Sequence, residues 1–291
     1  TNVNSLNRAL TKEIRQTYRK IYQEGMSELN KLAGVSARYH KSTFGKALLG
    51  IYKAKGINDS IKVNDLIIKG NGTFAQQITS ISMLQQKKII NTVKTGMTAG
   101  KALNSIALDV GKLGLLQSTV QTKTLIRTAI TQTSMHVQNL TYALNDDVVK
   151  GYQYVATLDT RTSLICGRLD GKVFSLNSEF APKPPQHFNC RSTTVPIIKS
   201  ADQLLNTKNN RLKKRKLANL SNARRASMNG QVPARLNYTT WLGKQTNDTK
   251  LTILGSPKRV NIFNQGKLKL TQFSNKEGKL ISLEKLEQLS S

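Results

Sequence analysis

The chain has 291 residues, of which 38% are hydrophobic and 5% aromatic, and its 45 lysines and arginines against 16 acidic residues give a formal net charge of +29. Two cysteines exclude a disulfide-rich scaffold, and no apolar run reaches the roughly 18 residues that a transmembrane helix requires. This charge favours a polyanionic partner, with nucleic acid as the first candidate and an anionic membrane surface as the second.

The first half of the chain is predicted to be helical. Leucine and isoleucine recur near helical spacing over residues 6–32, and a glycine- and lysine-rich break is expected around 45–56. A second helix is predicted over 73–94. We then expect Thr98 to cap a short helix that Gly111 and Gly114 end, followed by a long helix over 118–145.

Near Gly151 the pattern changes from helical to strand-like. Alternation over 152–157 predicts one strand, residues 172–174 predict a second after the hairpin dipeptide Asp170-Gly171, and 193–198 predict a third. The prolines within 181–185 predict a loop, because proline is excluded from helix interiors and central strands. The predicted fold class is therefore α+β, with a mainly α-helical N-terminal half followed by a small α+β module.

Both cysteines and one of the three histidines lie close together in the sequence. Thiolate and imidazole are ligands that Zn²⁺ prefers, so Cys166, His187 and Cys190 are candidate zinc ligands, with Asp159, Asp170 or water as the fourth. A metal-free module held by packing and hydrogen bonds is the competing interpretation. A Cys166–Cys190 disulfide is a further alternative, although a reducing cytoplasm opposes it.

A dense basic segment follows between residues 208 and 225. One interpretation is a solvated basic helix or linker, and the other is a patch that binds phosphate groups. The candidate phosphate-binding residues are Lys208, Arg211, Lys213, Lys214, Arg215, Lys216, Arg224 and Arg225.

The cysteine-containing stretch resembles the signature of the phage minor head proteins, the head morphogenesis family typified by the F protein of phage Mu. The motifs that carry the resemblance are Asp-Thr-Arg-Thr at 159–162, Leu-Asp-Gly-Lys-Val-Phe at 169–174 and Pro-Pro-Gln-His-Phe-Asn-Cys-Arg at 184–191. Family members commonly carry two further thiols, where this chain has Ser163 and Ser192.

The resemblance extends on both sides of that stretch and covers about residues 95–283. Upstream, a glycine-containing turn at 96–101 and Arg-Thr-Ala at 127–129 resemble the family pattern, with Ala129 in place of the usual acidic residue. Downstream, three short motifs follow in the family's order: Trp241-Leu242, Ile253-Leu254-Gly255 and Gly266-Lys267-Leu268.

The resemblance implies a structural virion protein inside the capsid near the portal, made in the host cytoplasm and present in several copies per particle. Expected partners are the portal protein, other capsid or ejection proteins, and double-stranded DNA bound without sequence specificity; membrane contact is expected only after ejection. We expect a helical portal-contacting region at 1–94, a core with the Cys/His loop at 95–200, a basic linker or helix at 201–235, and a small C-terminal region at 236–291.

Catalysis is not expected. A metal-finger nuclease is the alternative function, because His187 and Asn189 lie beside cysteines. Such an enzyme needs a second metal-holding residue positioned to activate water, and the other histidines, His40 and His136, lie in unrelated helical segments.

Overall fold

The computed structural model describes residues 3–47, 54–58, 60–68, 72–178, 181–200 and 224–290. The chain divides into two compact units. The first comprises residues 1–38, 58–137 and 187–189, and the second comprises 39–57, 138–186 and 190–291. Long helices followed by short antiparallel strands confirm the predicted α+β class.

The first two helices begin and pack as their sequences dictate. Helix α1 spans Val3–Ala47 and ends inside the predicted break, and α2 spans Phe74–Thr98. The Thr73 hydroxyl accepts a hydrogen bond from the Gln76 N–H, while the Gln76 side chain accepts one from the Thr73 N–H, so α2 begins with a capping box. Gly25 lets α1 approach α2 closely, because a Cβ there would lie 2.9 Å from the Phe74 ring.

The predicted breaks between α2 and residue 118 are wrong in two places. Thr98 caps no following helix, since it lies in the last turn of α2 and its hydroxyl donates to the Lys94 carbonyl. Helix α3 spans Leu103–Leu144 without interruption at Gly111 or Gly114. A glycine costs a helix only about 1 kcal/mol, which packing elsewhere along a long helix offsets.

A three-stranded antiparallel sheet forms in the second unit. Strands β1 (Val149–Val155), β2 (Val173–Ser175) and β3 (Thr193–Ile198) lie in the order β2-β1-β3. The three predicted strands are thus confirmed, and residues 181–185 form a loop as predicted. Asp170-Gly171 is not a two-residue hairpin, because helix α4 (Leu164–Leu169) intervenes between β1 and β2.

The remainder of the second unit is a compact set of short elements. Their bounds are β4 Arg224–Ser227, β5 Gly230–Pro233, α5 Tyr238–Gly243, α6 Asn247–Leu254, α7 Pro257–Asn264, a 3₁₀ turn Leu270–Gln272, and α8 Leu283–Ser290. Trp241, Leu242, Leu254 and Leu268, which belong to the downstream motifs, are buried in its core. Those motifs therefore hold this part of the chain together.

None of the helices in the described ranges combines the length and the apolar character that crossing a membrane would take.

Candidate functional site

The two cysteines lie against each other in the interior. Cys166 is on α4, where the Ser163 hydroxyl accepts a hydrogen bond from its N–H, and Cys190 lies three residues before β3 begins at Thr193. Their Sγ atoms are 3.7 Å apart, and each residue is 1% exposed. The Tyr154 hydroxyl lies 3.2 Å from the Cys166 Sγ. Both cysteines are present as thiols.

Burial and hydrogen bonding favour the protonated forms of Cys166 and Tyr154. The hydrogen bond with Cys190, followed by burial, raises the pKa of the Cys166 thiol. Burial likewise raises the pKa of the Tyr154 hydroxyl. Because the thiolate is the nucleophilic form of cysteine, Cys166 is poorly suited to covalent catalysis in this setting.

The structure brings the three candidate zinc ligands together. The ligand atoms of Cys166, His187 and Cys190 all lie within 4.8 Å of one another. With Zn–S bonds of about 2.3 Å, two thiolates on one tetrahedral zinc ion stand about 3.8 Å apart, and the observed Sγ–Sγ distance is 3.7 Å. The spacing of the two sulfur atoms therefore fits a shared metal ion.

The two positions where the family commonly has thiols remain part of this cluster. Ser163 caps α4 through its hydroxyl, as described above. Ser192 is 4% exposed, and its side chain lowers the pKa of both Cys166 and Tyr154, against the larger effects that raise them. Hydroxyls thus occupy positions beside the thiols, and they are weaker zinc ligands than thiolates.

Asp159 is held by an arginine and does not join the Cys/His group. Its carboxylate accepts two hydrogen bonds from the Arg191 guanidinium, at 2.6 and 2.8 Å, and further ones from the Arg161 N–H and the Thr162 hydroxyl. The Arg191 hydrogen bonds hold the pKa of Asp159 below its ordinary value. Since Arg191 directly follows Cys190, this pair anchors the segment that carries Cys190.

Asp170 is also held by an arginine, and this pair is buried. Arg225 donates to both carboxylate oxygens, at 2.9 and 3.0 Å, and the Asp170 side chain is 0% exposed. The N–H groups of Ala156 and Tyr238 each donate to the same carboxylate at 2.7 Å. Asp170 therefore joins the end of β1, the end of α4, β4 and the start of α5.

This geometry changes the interpretation of the predicted phosphate-binding residues. The Arg225 guanidinium also donates to the carbonyls of Leu236 and Ala156, so protein groups surround it and we remove it from any phosphate-binding surface. Arg224 is exposed and donates to the Gln231 carbonyl at 2.6 Å. The other candidates, Lys208, Arg211, Lys213, Lys214, Arg215 and Lys216, lie outside the described residues.

Sequence reasoning missed the anchoring of the loop that carries His187. Asn189 has a φ of +58°, in the left-handed region that asparagine tolerates better than most residues. Its N–H donates to the Thr128 hydroxyl at 2.9 Å, and its side-chain amide donates to the Thr124 hydroxyl at 3.3 Å. Thr128 belongs to the Arg-Thr-Ala motif of α3, so two motifs distant in sequence meet here.

A family model described as Phage Mu protein F like protein matches residues 87–195. That range contains α3, β1, α4, β2 and the Cys/His loop, but it ends before the motifs at 241–268. No curated protein and no solved structure matches the chain. The resemblance found in the sequence is thus confirmed over residues 87–195, which match a phage Mu protein F-like domain, and this match supports a phage head-related protein.

Proposed function

We propose that this chain is a minor structural protein of a phage head, located in the capsid interior near the portal, and that it binds packaged DNA without sequence specificity. The match of residues 87–195 to the family is the observation that carries the proposal. The proposed partners are the portal protein, other capsid or ejection proteins, and double-stranded DNA. Ejection with the genome is part of the proposal, and catalytic activity is not.

The charge of the chain supports the DNA-binding part of the proposal. A net charge of +29 inside a DNA-filled head neutralises phosphates and releases condensed counterions, which favours binding without any contact to base edges. Such binding weakens steeply as salt concentration rises.

Purified heads provide the test of location. Mass spectrometry of DNA-filled heads should detect the chain, and mild disruption should release it together with the portal protein. Heads that contain every other structural protein but lack this chain would contradict the proposal.

Competition between duplexes of unrelated sequence provides the test of DNA binding. All duplexes of equal length should compete equally, and the affinity should fall linearly with salt concentration on logarithmic axes. A sequence-selective footprint, salt-independent binding, or cleavage of the DNA with Mg²⁺, Mn²⁺ or Zn²⁺ would contradict a non-enzymatic, non-specific role.

We further propose that Cys166, His187 and Cys190 hold a structural Zn²⁺, with water completing the coordination. The support is the proximity of the three ligand atoms and the sulfur–sulfur distance. Deprotonation of the thiols by the metal would accompany binding. The metal would tie the His187–Cys190 loop to α4.

Metal analysis tests the zinc proposal directly. We expect about one zinc per chain, loss of zinc in Cys190→Ser, and tighter retention against a chelator in Ser192→Cys, which supplies a third thiolate beside Cys166. A metal-free wild-type protein that also fails to take up added zinc would leave packing and hydrogen bonds as the only account of this module.

A further inference from the structure

The first turns of α1 carry a row of four cations on one face. Arg8, Lys12, Arg15 and Arg19 are spaced by four, three and four residues, and all four are exposed. At 100° per residue they lie within about 60° of one another around the helix, and the row is about 16 Å long. We call these four residues the cationic row.

The neighbourhood of the row leaves its charge uncompensated. Within the described ranges, none of its four side chains has an ion pair or hydrogen bond with a carboxylate. The nearest acidic residue in sequence, Glu13, lies at least about 100° around the helix from any member of the row. Gln16 and Gln23, which flank the row, are exposed and neutral.

The length of the row suits contact with the backbone of a nucleic acid duplex. Duplex DNA carries one phosphate per about 1.7 Å of its axis over its two strands, so a row of about 16 Å lies beside several phosphates. Arginine and lysine side chains are among the groups that contact phosphate oxygens. The four long side chains of the row can therefore each reach a phosphate of the strands that border a groove.

A lipid surface fits this face less well than DNA. Interfacial helices bury an apolar face in the headgroup region, next to the cations. Of the apolar side chains of α1, Tyr18 and Leu29 are buried within the protein, and the exposed Val35 and Tyr39 lie 16 or more residues beyond the end of the row. The exposed face beside the row carries Gln16 and Gln23 instead of leucine or phenylalanine.

We propose that the cationic row of α1 is a DNA-backbone contact surface of this protein. The inference rests on the proposed function, because it names the site through which the chain would bind packaged DNA. It assigns a nucleic-acid contact to a region that the sequence alone assigned to protein partners.

The test compares two full-length variants with equal loss of charge. The row variant replaces Arg8, Lys12, Arg15 and Arg19 by glutamine, and the control variant replaces four exposed lysines that are scattered over the second unit, Lys244, Lys258, Lys276 and Lys285. Fluorescence anisotropy with a short DNA duplex measures affinity between about 50 and 200 mM salt. Circular dichroism verifies that both variants remain folded.

Four lost phosphate contacts should reduce the steepness of log affinity against log salt by about 3.6 in the row variant. In the control variant the same slope should change by less than about 1. At about 0.1 M salt the row variant should bind at least about 100-fold more weakly than the wild type. A gain variant, Gln16→Lys with Gln23→Lys, should steepen the slope by up to about 1.8, which misfolding cannot produce.

Three other results would overturn the inference. If the wild type binds steeply but the row variant loses no more than the control, the surface is wrong and the proposed function stands. If the wild type does not bind DNA, the DNA-binding part of the proposed function fails and the inference fails with it. If the row variant keeps its DNA affinity but loses binding to phosphatidylserine vesicles, this face binds a membrane and not DNA.

Discussion

Arginines in two regions of this protein have different roles. Around the Cys/His loop, Arg191 and Arg225 are each paired with an aspartate and hold segments of the fold together. On the first turns of α1, Arg8, Arg15 and Arg19 are exposed on a face without carboxylates. The comparison teaches that total charge overstates the charge available to a partner, since part of it is neutralised inside the fold.

The largest effect on stability is expected from breaking the buried pair of Asp170 and Arg225. Arg225→Met leaves the Asp170 carboxylate buried without its cation, which should lower the free energy of unfolding by about 3–5 kcal/mol. Chemical denaturation measures this change. Arg224→Met, at the adjacent exposed position, is the matched control and should stay within about 0.5 kcal/mol of the wild type. Equal effects of the two substitutions would show that the pair has no special role.

The next largest effect on stability is expected at Thr128, which anchors the loop that carries His187. Thr128→Val removes the acceptor of the Asn189 N–H and should lower the free energy of unfolding by about 1–3 kcal/mol. Thr131→Val is the control, because that hydroxyl donates to the Arg127 carbonyl within the same helix and is exposed. A loss confined to the control, or none in Thr128→Val, would contradict an anchoring role.

A smaller, pH-dependent effect on stability is expected at the partly exposed Asp159–Arg191 pair. Arg191 depresses the pKa of Asp159 in the folded state, so the pair stabilises the protein above the ordinary pKa of aspartate, and this stability is lost as pH falls through the lower, folded-state pKa. Asp159→Asn should cost about 1 kcal/mol near neutral pH, since the pair is partly exposed to solvent. Urea unfolding at neutral and acidic pH should show the difference from wild type shrinking in acid; a constant difference would exclude ionisation as its cause.

The smallest expected effect on stability is at the cationic row. Replacing Arg8, Lys12, Arg15 and Arg19 by glutamine should leave the free energy of unfolding within about 0.5 kcal/mol, because these exposed side chains lack carboxylate partners in the described part of the chain. Thermal unfolding of this variant and of the wild type, measured in parallel, tests this prediction. A large destabilisation would show that the row contributes to the stability of the fold, and it would contradict the interpretation of the row as a free binding surface.

The sequence predicted what depends on local pattern. Alternation identified β1, and the prolines near Pro184 marked the loop before Cys190. The motifs around Cys166 and Cys190 identified the family, and Cys/His chemistry selected residues that do lie together.

What the sequence did not predict depends on contacts between distant residues. Asp170 and Arg225 are 55 residues apart, so nothing in their local patterns distinguishes Arg225 from its exposed neighbour Arg224. The second helix was predicted over 73–94, yet α2 continues through Gly96 to Thr98, and glycine at this position leaves room for Ile106, which a Cβ would approach to 2.7 Å. Tertiary packing overrode a weak local preference in that case.

Ultraviolet crosslinking of DNA to protein inside intact, purified heads, followed by mass spectrometry of this chain, tests the central claim most directly. The account predicts that the chain is present and that peptides from the first turns of α1, including Arg8 to Arg19, are crosslinked more strongly than peptides around Arg225. Heads without the chain, or crosslinks concentrated at Asp170 and Arg225 and absent from α1, would contradict it.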